Sequence, residues 1–126
     1  MSSVLTKTTI VPGNGKSLKS RIIAIENVPI YTVITTKGNI ANSSDTTHKN
    51  IIAGITKEAI NNTFSGSVVT EGEIENENWT WTRGNILFLN GTSISVTPPS
   101  TGFCVKIGEA LSSTKIFVRI TESILL

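Results

Sequence analysis

The chain is poor in reactive side chains, with one cysteine (Cys104), one histidine (His48) and one aspartate (Asp45) among 126 residues. A lone thiol closes no internal disulfide, and a single histidine without a second cysteine makes no metal-ligand set. A catalytic thiol needs a histidine partner, but His48 lies in a polar, loop-like run, and Cys104 sits between Phe103 and Val105. Cys104 therefore reads as a small buried apolar residue. No phosphate-cradling glycine loop leads into a helix. These gaps argue against an enzyme and against a bound cofactor or metal.

Long apolar runs are missing as well. No stretch approaches the length of a membrane span, and the N-terminus has no secretory apolar region. The chain is expected to be made in a cytoplasm. Its Asn-x-Ser/Thr sequons at Asn42, Asn61, Asn78 and Asn90 then follow from an Asn- and Thr-rich composition. Net charge is only +2, and basic residues are not interleaved with aromatics, so nucleic acid is not an expected partner. A sustained helical stripe is absent too, which leaves β structure.

The length fits one domain with one core. Residues 2–9 are rich in Thr and β-branched side chains and suit a strand or an arm reaching a neighbour. Pro12, Gly13, Asn14 and Gly15 mark a turn. A strand through Leu18, Ile22, Ile23 and Ile25 is expected to end near Asn27. β-Branched composition predicts strands at 30–36 and 51–55, with Gly54 marking a bulge or close backbone approach. The run 42–50 has no apolar residue and reads as a surface loop, and 57–61 has room for a single helical turn. Further strands are expected at 67–70, 86–89, 94–97, 103–107 and 115–120. Asn90-Gly91 is placed at the centre of a tight hairpin turn, and Pro98-Pro99 ends it. The C-terminal Ile124, Leu125 and Leu126 read as apolar groups that are exposed or covered by another subunit.

The order of these signals repeats once. Residues 30–33 with Gly38 correspond to 86–89 with Gly91, 52–55 to 106–109, and Val68-Val69 to Phe117-Val118. The expected fold is all-β: a small barrel or sandwich-like domain of two similar halves, preceded by an extended N-terminal arm. In domain terms, 1–27 is the arm and first strand, and 28–126 is the barrel-like domain with pseudo-repeats at 28–70 and 83–122.

Charge is distributed more tellingly than it sums. Lys7, Lys16, Lys19, Arg21 and Lys37 precede or follow a single early acid, Glu26, whereas Glu71, Glu73, Glu75 and Glu77 form a row at alternate positions. In a strand all four carboxylates share one face. Carboxylates suit a hard cation, but a calcium loop folds back around its ion while a strand spreads its charges out. The row is therefore expected to be solvated or to face a partner, for example the basic N-terminal region of a neighbouring subunit. Trp79 and Trp81 alternate in the same way, beside Arg83. Such a pair can form a sugar-stacking patch with Arg on an indole face, or can pack over a core or subunit interface, which is the expected arrangement.

Residues 72–120 carry a resemblance. Gly72 to Ile74, the Trp79-x-Trp81 pair, Gly84 leading into 86–89, the Gly91 hairpin, Thr97-Pro98-Pro99, Gly102-Phe103, the small-residue corner at 108–114 and the final strand at 115–120 resemble a β module of tailed-phage structural proteins. That module occurs in fibre and other virion-surface proteins, and the repeat plan is similar to small capsid-decoration proteins that trimerise on the shell. The resemblance implies a non-enzymatic virion protein on the particle exterior: a decoration or cement protein that forms a homo-oligomer, a trimer, on the major capsid protein or another virion protein. It also admits a receptor-binding tip or fibre component, with Trp79, Trp81 and Arg83 touching a host-surface glycan. It carries no catalytic residues, and neither nucleic acid nor membrane is implied as a partner. On the first reading Ser2 to Arg21 attaches the protein to the shell or to its neighbours.

Overall fold

The computed structural model of the chain describes residues 17–126. The expected arm, its turn at 12–15, Lys7 and Lys16 lie outside these residues. Ten strands follow in order: β1 Leu18–Ile23, β2 Val33–Thr35, β3 Ile52–Thr56, β4 Ser65–Glu75, β5 Ile86–Asn90, β6 Ser93–Ser95, β7 Phe103–Cys104, β8 Lys106–Ala110, β9 Lys115–Arg119 and β10 Ile124–Leu125. Among the described residues the only helical element is one 3-10 turn, Thr46–His48. The molecule is all-β, as the sequence predicts.

Seven strands form an antiparallel path, β2-β3-β4-β9-β8-β5-β6, with β1 added to β4. The path curls into a nearly closed barrel. Its ends approach through Ser43, whose N–H donates to the Gly91 carbonyl at 2.9 Å while its Oγ accepts from the Gly91 N–H at 2.8 Å. A separate ribbon pairs β7 with β10.

The two halves of the path match residue by residue. Ile34 pairs with Gly54, and Leu87 pairs with Gly108; in each ladder a register shift follows at once. A Cβ on Gly54 would strike the Val69 carbonyl oxygen, and one on Gly108 would strike that of Phe117. Both glycines thus permit the same close strand crossing. Val69 is the counterpart of Phe117, one position away from the expected Val68-to-Phe117 match. Likewise Val33, not Ile30, corresponds to Ile86. Two residues further on, Glu71 corresponds to Arg119, and these two pair directly with each other.

The core draws on both halves. Val33, Ile55 and Val69 from the first interdigitate with Leu87, Leu89, Ile107, Ile116 and Val118 from the second, with Phe103 among them. Ala24, Val28, Ile34, Ile60 and Val68 form a smaller cluster outside the sheet. Strand β4 serves both clusters because it changes face partway along. Val69 and Ile74 point into the same core although strict alternation would oppose them. The switch is a bulge where β1 shifts register between Leu18 and Lys19, and Gly72 takes φ 115°.

Several expected elements differ in detail. The strand at 30–36 contracts to β2, because Ile30 and Tyr31 form a turn and Tyr31 has φ 61°. The first strand stops at Ile23, and Ala24 turns inward as its N–H bonds the Phe64 carbonyl. No helical turn forms at 57–61; Ile60 instead bridges Val28, each N–H donating to the other's carbonyl at 2.8 Å. The strand at 103–107 breaks at Val105 into β7 and β8. Asn90 is the last residue of β5, paired with Ser93, so Gly91 and Thr92 are the central turn residues. Positive φ falls on Gly91 alone, the requirement of a II′ turn and not of the I′ turn that Asn-Gly suggests. Cys104 is half-buried instead of buried.

Candidate functional site

The loop at 42–50 carries more structure than its polarity suggests. Asp45 caps the 3-10 turn, its Oδ1 accepting from the Thr47 N–H at 3.0 Å and from the Thr47 hydroxyl at 2.6 Å. Those bonds, the hydroxyl's first, hold the Asp45 carboxyl below its ordinary pKa, with a smaller contribution from His48. His48 is buried, and its Nδ1 accepts from the Asn42 N–H at 3.0 Å. That bond leaves Nε2 as the protonated nitrogen, 3.4 Å from Asp45 Oδ2. The chain's one imidazole thus serves to fold this loop against the barrel.

The acidic row divides. Glu71, Glu73 and Glu75 lie on β4, while Glu77 falls in the turn beyond it. Across the ladder Glu71 faces Arg119 and Glu75 faces Lys115. Lys115 Nζ also lies 3.6 Å from Glu73, and Glu75 accepts from the Thr114 hydroxyl at 3.0 Å. The row therefore meets cations of its own chain. Arg119 also stacks over Phe117, 5.2 Å from the ring centre. Among the early basic residues, Lys19 and Arg21 stand exposed on β1. Arg21 donates to the Ser65 carbonyl at 3.1 Å and lies 4.0 Å from Glu58.

Trp79 and Trp81 do not lie on a strand. They occupy the connection from β4 to β5, where their backbone N–H groups bond the carbonyls of Asn76 and Ser113. Both indoles pack half-buried against the main core. Their rings are tilted by 48° with centres 6.0 Å apart. The other neighbour of Trp79 is Tyr31, 5.4 Å away at 60°. Such tilted contacts suit the aromatic quadrupole. Arg83 is exposed in the following turn, and the one cation–π contact among the described residues is that of Arg119.

A groove opens where this aromatic row meets the end of β4. It has a volume of about 560 Å³ and is lined by Tyr31, Glu75, Asn76, Glu77 and Asn78. Sequence reasoning reached Glu75 and Glu77 but missed Tyr31, Asn76 and Asn78. Tyr31 was hidden by the β-branched residues around it, which read as a strand. Asn76 had a local signal: its side chain accepts from the Asn78 N–H at 3.0 Å, a turn that asparagine favours. Among the described residues no three His, Cys, Asp or Glu side chains converge as a metal site.

Comparison with protein-family models, curated proteins and solved structures finds no match to the chain.

Proposed function

We propose that the chain is a non-enzymatic structural protein of a tailed-phage particle exterior, a shell-decorating β module that works as a homo-oligomer, a trimer on the major capsid protein. The virion assignment rests on the motif run in residues 72–120. The observation that supports an assembly role is uncovered apolar surface. Ile23, Ile25 and Phe64 are 64%, 56% and 65% exposed. Hydrogen bonding brings them to one end of the sheet, since Ile23 pairs with Ser65 and the Ala24 N–H bonds the Phe64 carbonyl. Clustered exposure of large apolar side chains marks a protein–protein surface, whereas single ones need no explanation. Ile124, Leu125 and Leu126 add a second apolar strip on the β7–β10 ribbon.

On this reading Phe64→Asp lowers self-association or shell binding at least tenfold and leaves the melting temperature within a few degrees. Sedimentation equilibrium and co-sedimentation with undecorated shells measure the two effects. A wild-type protein that stays monomeric at high concentration and binds no shell would end the proposal.

A further inference from the structure

The geometry points to the groove between Tyr31 and the turn after β4 as a binding site for a neutral saccharide, a function separate from attachment to a shell. Three features of the groove carry this.

The aromatic wall is fixed before any ligand arrives. The Tyr31 N–H donates to the Thr56 carbonyl at 2.9 Å, and its ring leans on Trp79, which leans on Trp81. The backbone of the opposite wall is tied down as well. The Asn76 N–H donates to the Thr114 carbonyl at 2.9 Å and the Trp79 N–H to the Asn76 carbonyl at 3.0 Å. Sites that are already ordered lose little entropy on binding.

The polar groups match a polyol. Carboxylates and amides are planar and take two hydroxyls at once, the amide by donating and accepting. Glu77 and Asn78 are exposed, and neither side chain bonds another described residue. Glu75 is held in place through its Thr114 bond. A pyranose face of polarised C–H groups complements the negative face of the Tyr31 ring.

Size and charge narrow the ligand. The volume lies in the range of small-molecule sites. Among the described residues the lining includes two carboxylates and no cation, with Lys115 opposite Glu75 on the neighbouring strand as the nearest paired charge, so neutral sugars are favoured over sialylated or sulfated ones.

The test is a glycan array followed by titration of a neutral hit, read from the amide NMR signals of residues 31 and 76–79. Those signals are expected to move at millimolar sugar or below. Asn78→Ala and Glu77→Gln, which disturb no side-chain bond among the described residues, are each expected to weaken binding at least fivefold with the melting temperature unchanged. Arg83→Ala serves as the control that leaves binding intact. Failure of every neutral glycan to bind at millimolar concentration overturns the assignment. So does a preference for anionic glycans or for a lysine-rich peptide, or binding that survives the Asn78→Ala, Glu77→Gln double variant. Shell binding measured on the same variants is expected to be unaffected.

Discussion

A methyl group at Gly54 or Gly108 would occupy the space of a carbonyl oxygen on the facing strand, Val69 in one case and Phe117 in the other. Backbone cannot step aside as a flexible side chain can. Gly54→Ala and Gly108→Ala are each expected to destabilise by about 3 kcal/mol, the upper part of the usual overpacking range. Gly91, where nothing lies within 4 Å, carries only the strain of its positive φ and should cost less as alanine. Thermal denaturation of the three variants gives the ranking. Asp45 gives a second residue-scale prediction. Its folded pKa lies below the ordinary 3.8, so its contribution is complete above that value and disappears as pH falls through the folded pKa. Amide exchange at Thr47 and His48 should therefore accelerate, relative to the rest of the barrel, on acidification below about pH 4. The Asp45→Asn variant should lose that pH dependence.

Strands β4 and β9 form the seam between the halves, and their outward side chains alternate in charge. Lys115 faces Glu75 and sits beside Glu73, both on a half-exposed surface. Such pairs contribute little individually, up to about 1 kcal/mol. Reversal is more informative, since like charges directly opposite are destabilising. Lys115→Glu is expected to destabilise by about 1–2 kcal/mol at low salt, with part of the loss recovered at 1 M salt, where surface charges are screened. A melting series over salt concentration tests it. The same seam shows what the sequence disclosed and what it concealed. The outward row of Glu71, Glu73 and Glu75 was legible because alternation in a strand is a local property. Its partners were not, because Lys115 and Arg119 lie far along the chain and no spacing rule connects them. The bulge at Thr70, with Gly72 in positive φ two residues on, was invisible for a similar reason: a glycine shows that positive φ is allowed, not that a strand must change faces there. Tyr31, the key side chain of the groove, was lost in a β-branched run that reads as strand until Pro29 and the Thr56 bond bend it into a turn. All-β class, the repeated plan and most strands were legible from composition and turn residues. The groove was not, because it sets Tyr31 against residues 75–78, far along the chain, and no local pattern connects them.

A core shared between the two halves carries a consequence for folding. The main core is mixed: Val33, Ile55 and Val69 share one cluster with Leu87, Leu89, Ile107, Ile116 and Val118 of the second half, so each half supplies only part of it. Among the described residues the ladder joining the halves is β4 with β9, running from Glu71 opposite Arg119 to Glu75 opposite Lys115. Most pairings also link residues distant in sequence, as in β1 with β4 and β4 with β9, which makes chain closure the slow step. The halves are therefore expected to be unfolded in isolation and to unfold together in the intact protein. Fragments 17–78 and 79–126, prepared separately, should give collapsed amide NMR dispersion. The intact chain should give one transition at which tryptophan fluorescence and far-UV circular dichroism coincide. Trp79 and Trp81 sit in the connection between the halves and pack on the shared core, so their fluorescence reports the joining of the halves specifically. A tryptophan transition that precedes loss of β structure by several degrees would show that the halves separate before they melt. The barrel would then be two stable units docked together, and not the single interdependent core described above.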